Sequence, residues 1–217
     1  MAFFTMWWAE ANQTQKDLVH QYVEKKKVEF VLGGWSMPDD AGPAYGANVN
    51  QMAEGHRFIY DTFGVLPKYG WHIGKYLFLN FFFPFLFFFF LCTYLKNKIK
   101  IDPFGLSSYY PTLFSAMGFN GHVINRIHYS LKDQFKSEKH MEFIWRGSHS
   151  LGAKSEMMTH VLSNHYSFPS GFDFEKNEPI TDNNIASKAQ TLVNDFKNRA
   201  NWYRSEHLLI PGGDDFR

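Results

Sequence analysis

Apolar residues recur along this chain at two spacings, one typical of helices and one typical of strands. Four segments carry apolar side chains three to four positions apart, which predicts amphipathic helices: residues 15–27, 48–62, 109–117 and 183–203. Four short apolar runs predict strands: residues 28–32, 69–73, 122–127 and 208–210. Strands that alternate with helices favour an α/β domain built on a parallel sheet or barrel.

One stretch breaks this alternation. Residues 76–95 read YLFLNFFFPFLFFFFLCTYL and are followed by Lys96, Lys98 and Lys100. Their length and apolar character match a membrane-spanning helix with a basic flank. Such a span would separate the predicted strand at residues 69–73 from the loop after it, and would put the two halves of the domain on opposite sides of a bilayer.

We therefore interpret residues 74–101 as a translated intron. Phe, Leu and Pro are encoded by pyrimidine-rich codons, and a pyrimidine tract precedes a splice acceptor. Gly74-Lys75 can be encoded by codons that resemble a splice donor site, and Ile101-Asp102 can be encoded by codons that resemble a splice acceptor site. Removing these 28 residues preserves the reading frame, removes four lysines and the single cysteine Cys92, and changes the net charge from +1 to −3.

Composition limits the classes of protein and of partner that fit this chain. A chain of 217 residues suits one domain or part of a larger one. A net charge of +1 provides no electrostatic case for a nucleic-acid partner. A single cysteine excludes a disulfide or a cysteine metal site within the chain.

Acidic residues follow three of the predicted strands, at the positions where parallel α/β folds carry catalytic groups. Asp39-Asp40 follow residues 28–32, and Asp214-Asp215 follow residues 208–210. Asp102 follows the strand at residues 69–73 once the insert is removed. For any single one of these acidic positions, a solvent-exposed loop is the default interpretation. Three such positions at the same edge of the predicted sheet favour a functional site.

Longer motifs carry a family resemblance. With the insert removed, GWHI is joined to DPFG, and this junction resembles the core motif of glycoside hydrolase family 38. Other stretches resemble segments of that family in the same order: MAFFTMWWAE, EFVLGGWSMPDDAGPAY, QMAEGHRFIYDTFGVLPKYGWHI, RIHYSLKDQ, MEFIWRGS and YRSEHLLIPGGDDFR. The resemblance implies a class II α-mannosidase. Residues 1–73 and 102–217 would then be a fragment of its parallel, seven-stranded β/α barrel-like catalytic domain.

The resemblance implies catalytic roles for acidic residues. Asp102, in the DPFG motif, would be both the nucleophile and a zinc ligand. Asp215, in the GDDFR motif, would be the general acid/base, with Asp214 beside it in the substrate site. A retaining glycosidase requires two such carboxylates about 5 Å apart. An acid beside another acid tends to have a raised pKa, which suits a proton donor.

The resemblance also implies substrate-binding roles. Phe104 would line the sugar site, Arg126 would lie near the nucleophile, and Tyr166 would match a site tyrosine. By contrast, we interpret five of the ten histidines as packing or surface residues: His72, His122, His128, His160 and His165.

Zinc is the cofactor that the resemblance implies, and Asp102 is its only ligand expected within this chain. The family's HxDPGW motif, which supplies a His and an Asp, would precede the chain, and the last zinc-binding His would follow it. We therefore expect the isolated chain to be inactive. Three departures from the family pattern, Asp40, Ala44 and Leu106, bear on substrate positioning more than on the fold.

The expected substrate is a mannose-containing N-glycan, and the expected location is the lumen of the secretory pathway. The RIHYSLK and GDDFR segments favour the Golgi branch over the lysosomal branch. Two alternatives remain at the level of sequence. The chain could be a membrane-anchored, non-catalytic relative in which residues 76–95 are real, or a product without function.

Overall fold

The computed structural model describes residues 1–38, 44–72, 106–173 and 176–212. Six α-helices occur in these residues: α1 (Ala2–Glu10), α2 (Gln13–Glu24), α3 (Tyr45–Phe63), α4 (Tyr109–Ala116), α5 (Tyr129–Glu138) and α6 (Ile185–Ala200). Four strands occur with them: β1 (Tyr69–His72), β2 (Gly121–Ile124), β3 (Glu142–Arg146) and β4 (Glu156–Val161). A short 3₁₀ helix, Gly152–Ser155, leads into β4.

The four strands form one sheet in the order β1-β2-β4-β3. Strands β1, β2 and β4 are parallel, with Trp71 opposite Val123 and Val123 opposite His160. Strand β3 runs antiparallel to β4, because the short connection between them cannot provide the crossover that parallel strands require. The parallel-rich sheet confirms the α/β class. The seven-stranded barrel stays a prediction.

Helix α4 packs on one face of the sheet, and α3 packs beside α4. Met52 of α3 and Tyr110 and Phe114 of α4 are fully buried there. Alternation along the strands directs Trp71 and Val123 to the opposite face, where they pack with Leu162 and Tyr166. The loop after β4, which carries Tyr166, thus packs against this second apolar cluster.

Local sequence explains where several helices begin and end. Helix α2 begins with a capping box, in which the Asn12 side chain accepts from the Gln15 backbone N–H and the Gln15 side chain accepts from the Asn12 backbone N–H. Helix α3 ends at Gly64, whose φ of 69° is the left-handed conformation that glycine tolerates best. Helix α4 is followed by Gly118, which has a φ of 81°.

The four helices predicted from periodicity are confirmed as α2, α3, α4 and α6, with ends that differ by a few residues. The strands predicted at residues 69–73 and 122–127 correspond to β1 and β2. The sequence patterns did not identify four elements: α1, α5, β3 and β4.

Two predicted strands are wrong. Residues 28–32 form no strand, because Leu32 and Gly33 adopt positive φ values of 56° and 75°, which turn the chain away from β1. The Leu32 N–H still donates to the Tyr69 carbonyl at 2.7 Å. Residues 208–210 also form no strand, and Leu209 is 42% exposed rather than buried.

The membrane-spanning candidate, residues 76–95, lies outside the described residues. Within the part of the chain that the structure describes, no helix is long and apolar enough to cross a membrane.

Candidate active site

Arg126 and Tyr166 meet at the carboxyl edge of the parallel strands. Arg126 follows β2 by two residues, and Tyr166 lies in the loop after β4. Since β2 and β4 are parallel neighbours, both loops leave the sheet at the same edge. The Arg126 Nη2 atom lies 3.4 Å from the Tyr166 hydroxyl oxygen, and the guanidinium carbon lies 5.7 Å from the centre of the Tyr166 ring.

His165 joins this pair. Its ring lies against the Tyr166 ring at a centroid distance of 3.8 Å, and its Nε2 lies 3.1 Å from Arg126 Nη2. A guanidinium only donates hydrogen bonds, so Nε2 must accept here, and the proton of the neutral imidazole is on Nδ1. Nδ1 can then donate to the Ser167 hydroxyl at 3.0 Å. The three side chains form one connected polar group, in which Arg126 contacts both His165 and Tyr166 and the two rings contact each other.

Apolar side chains pack against the Tyr166 ring. Tyr166 is 7% exposed and belongs to a buried cluster with Leu162, against which Met37, Trp71 and Val123 pack. Trp71 belongs to β1, Val123 to β2, and Leu162 directly follows β4. Three parallel strands therefore contribute to the position of one phenol ring, with its hydroxyl turned toward Arg126.

Lys132 of α5 contacts the loops on both sides of this group. Its ammonium donates to the Asn125 carbonyl at 3.2 Å, to the Asn125 side-chain oxygen at 3.1 Å and to the Asn164 carbonyl at 2.9 Å. Burial lowers the pKa of Lys132 to about 8, and the positive charges of Lys136 and Arg126 act in the same direction, against the opposing effect of Asp133.

Of the six site residues predicted from sequence, the structure brings Arg126 and Tyr166 together. The other four, Asp102, Phe104, Asp214 and Asp215, lie outside the described residues.

Sequence reasoning missed two residues of this region. The sequence predicts a packing or surface role for His165, whereas the structure shows it in contact with both Arg126 and Tyr166. The sequence feature that could have identified His165 is its position next to Tyr166, a predicted site residue. Lys132 was given no role, although it is the lysine of the RIHYSLK segment that contains Arg126.

The packing or surface interpretation is confirmed for the other four histidines. His72 and His122 are buried at 1% and 2% exposure, and their rings are 6.1 Å apart. His160 lies 2.9 Å from a Glu142 carboxylate oxygen, and its ring stacks on Tyr203. His128 is near the surface, with Nδ1 2.7 Å from the Ser130 hydroxyl.

The described ranges contain no group of three or more His, Cys, Asp or Glu residues that could hold a metal ion. Asp102, the zinc ligand predicted within this chain, is outside those ranges. The described residues of the site thus supply hydrogen-bond donors and an aromatic ring.

The sequence that forms this site matches a known protein family. The chain matches the model of the family described as Glycosyl hydrolases family 38 N-terminal domain over residues 1–76 and 93–217. The chain therefore belongs to glycoside hydrolase family 38.

Curated relatives make the similarity more specific. The chain is 36% identical to alpha-mannosidase D of Dictyostelium discoideum, over 100% of this chain and 15% of the relative. It is 33% identical to the epididymis-specific alpha-mannosidase of Sus scrofa, over 98% of this chain and 20% of the relative. It is 36% identical to the lysosomal alpha-mannosidase of Mus musculus, over 100% of this chain and 20% of the relative. The chain thus spans a fifth or less of the length of these three relatives.

Proposed function

We propose that this chain contributes part of the catalytic domain of a retaining α-mannosidase that hydrolyses mannose-containing N-glycans. The observation that supports this most directly is the contact among Arg126, His165 and Tyr166 at the carboxyl edge of parallel strands. Substrates of parallel α/β enzymes bind at this edge. The names of the relatives, all alpha-mannosidases, support the choice of sugar.

The proposed reaction uses two carboxylates. The Asp102 carboxylate attacks the anomeric carbon of the mannoside and forms a glycosyl ester, while the Asp215 carboxyl gives its proton to the departing glycosidic oxygen. The Asp215 carboxylate then takes a proton from water. That water attacks the same anomeric carbon, and Asp102 leaves as the free carboxylate. Two inversions give net retention of configuration.

Arg126, Tyr166 and Phe104 are proposed to hold the sugar, with Asp214 beside the acid/base. A guanidinium has five N–H donors in a fixed plane, so Arg126 can donate to a sugar hydroxyl while it contacts His165. The Tyr166 hydroxyl can accept from Arg126 and donate to a second sugar hydroxyl. The geometry requires Arg126 to be held still, because a displacement of about 1 Å in a site can cost about 10²-fold in rate.

Zinc is proposed as the cofactor, with Asp102 as the ligand from this chain and the others supplied by parts of the protein outside it. When bound, zinc would act as a Lewis acid that holds sugar hydroxyls and favours a distorted ring. Since one of four expected ligands is in this chain, we expect the purified 217-residue chain to hydrolyse no α-mannoside.

The proposed location is the lumen of the secretory pathway. The RIHYSLK and GDDFR segments favour the Golgi, whereas two relatives at 34% and 36% identity are named lysosomal alpha-mannosidases. A membrane-anchored, non-catalytic protein is the second candidate, and the apolar character of residues 76–95 is the observation that favours it.

The test uses the full-length protein that contains this chain, assayed with 4-nitrophenyl α-D-mannopyranoside and with the corresponding α-glucoside. We expect hydrolysis of the mannoside, with α-mannose as the first product by NMR because the configuration is retained. Asp102→Asn should lower kcat on the order of 10³-fold or more, as loss of a nucleophile does in other enzymes. Arg126→Lys should lower kcat/KM about 10-fold to 100-fold because it removes the planar donor pair.

Arg57→Lys is the matched control, since Arg57 is an exposed residue of α3 whose Nη2 pairs with Glu54 at 2.7 Å. Its kcat/KM should equal that of the wild type. β-Mannose as the first product, or full activity in Asp102→Asn, would contradict the proposed mechanism.

A further inference from the structure

Lys132 connects two loops at positions directly adjacent to site residues. One acceptor, the Asn125 carbonyl, belongs to the residue before Arg126. Another acceptor, the Asn164 carbonyl, belongs to the residue before His165. Since each peptide unit is rigid, fixing these carbonyls limits the directions in which Arg126 and His165 can leave the backbone.

The contacts of Lys132 match what an ammonium requires. An ammonium has three donors, and Lys132 meets three acceptor oxygens within 3.2 Å. All three are neutral amide oxygens, of which two belong to Asn125, a residue that is 2% exposed. A partly buried ammonium is costly without such partners, so the three contacts favour the arrangement in which both loops are in position.

We propose that Lys132 is a positioning residue of the sugar site, which ties the loop after β2 to the loop after β4 and thereby holds Arg126 against His165 and Tyr166. This inference rests on the proposed glycosidase function for its effect on catalysis. Its structural part, the coupling of the two loops, stands on the contacts alone. Other links between the two loops in the described residues are the contacts of Arg126 with His165 and Tyr166 and the hydrogen bond from the Leu162 N–H to the Ile124 carbonyl at 2.9 Å.

The first test compares Lys132→Met with Lys136→Met in the full-length protein. Both changes remove one positive charge from α5. Lys136 lies one turn further along α5, with its ammonium 4.1 Å from the ring centre of Trp202, a residue that belongs to neither loop. We expect Lys132→Met to lower kcat/KM for the α-mannoside about 10-fold to 100-fold. Lys136→Met should stay within about 2-fold of the wild type.

A double-variant cycle separates positioning from general support of the fold. If Lys132 acts through Arg126, the Lys132→Met change costs little once Arg126→Met has removed the guanidinium. The double variant should therefore be within about 3-fold of Arg126→Met alone. Independent, multiplying losses would overturn the proposal.

Hydrogen exchange provides a measurement that does not depend on activity. In Lys132→Met, amides of residues 125–128 and 163–167 should exchange at least about 10-fold faster, while the four strands keep wild-type protection. Lys132→Gln, which retains donors for one of the two loops, should show a smaller change in the same segments. Unchanged exchange in these loops, or an equal rise in all four strands in both variants, would overturn the proposal.

The two proposals fail in distinguishable ways. A wild-type protein without activity on α-mannosides would refute the proposed function, and the exchange measurement would still decide whether Lys132 couples the loops.

Discussion

Gly55 allows α3 to approach the turn at Gly33-Gly34 more closely than any other residue would permit. A Cβ atom at position 55 would lie 1.9 Å from the Gly33 carbonyl oxygen and 2.7 Å from the Gly34 carbonyl carbon. Both are backbone atoms, which cannot rotate away. The same turn leads to Met37, which packs against the cluster under Tyr166. A single glycine therefore affects both the packing of α3 and the support of the site.

We predict that Gly55→Ala destabilises the protein by roughly 3 kcal/mol, because the overlap outweighs the gain of about 1 kcal/mol in helix propensity. The matched control is Gly46→Ala in the same helix, where an added Cβ meets nothing within 4 Å. Gly46→Ala should be neutral or stabilising by up to about 1 kcal/mol. Urea denaturation measures both, and equal stability of the two variants would refute the steric argument.

At the scale of elements, strands β1 and β2 share a buried pair of imidazoles. His72 and His122 lie on the helix-covered face of the sheet, where His72 contacts Tyr110 at 4.4 Å and His122 contacts Phe114 at 5.1 Å between ring centres. Burial lowers the pKa of His72 to about 4 and the pKa of His122 to about 3, and the nearby His72 adds to the effect on His122. The native sheet therefore favours both rings in the neutral form.

The sign of the pH dependence follows from these pKa values. Both folded pKa values lie below the ordinary histidine pKa of 6.5, so between pH 6.5 and 4 the unfolded chain binds more protons than the folded chain. Their stabilising contribution is complete above pH 6.5 and is lost as the pH falls. We predict that the unfolding free energy decreases by about 1.4 kcal/mol per pH unit for each of the two histidines in this window.

His122→Leu should reduce the difference in bound protons between the unfolded and folded chain by about one between pH 6 and 4. The unfolding free energy, measured by urea denaturation across pH, should then depend less steeply on pH. The control His149→Gln removes a solvent-exposed imidazole instead and should retain the wild-type slope. A wild-type slope in His122→Leu would show that His122 does not contribute.

At the scale of the whole molecule, the apolar segment is the feature that most affects the interpretation. The family match covers residues 1–76 and 93–217, so residues 77–92 are unmatched, and they lie within the predicted insert at residues 74–101. The flanking elements β1 and β2 are hydrogen-bonded neighbours in one sheet. A bilayer between them would prevent that pairing, because strands in one sheet must lie on the same side of a membrane.

We predict that mature transcripts sequenced from the codon for Trp71 to the codon for Phe104 lack the codons for residues 74–101. The protein made from that message should be recovered in the soluble lumenal fraction after carbonate extraction of membranes. An abundant message that retains these codons, together with a product that stays with the membranes, would contradict the intron interpretation and favour the anchored protein.

Helices were the part of the fold that the sequence predicted best, because a helix depends on side chains three to four residues apart. Helices α3 and α6 each follow such a pattern over four turns or more. The pattern was less informative for α1, which is apolar around its circumference, with Phe3 80% exposed and Phe4 in contact with Trp8 and Phe63. Its surroundings, rather than its periodicity, determine how it packs.

Strands were predicted less well, because a strand is stable only with a partner that local sequence does not specify. Residues 28–32 have strand composition, but the positive φ of Leu32 interrupts pairing with β1 after one hydrogen bond. Residues 208–210 are equally apolar, and they pair with no strand in the described residues. The antiparallel arrangement of β3 was also not evident from its sequence.

The sequence by itself determined the family, the α/β class and the segments on which Arg126 and Tyr166 lie, because each of these depends on residues close together in the chain. Only the tertiary structure decided which side chains meet. Lys132 finds its acceptors 7 and 32 residues away, and Arg126 contacts His165 and Tyr166 at separations of 39 and 40 residues. Such contacts depend on strand order and register, which bring distant loops to one edge of the sheet.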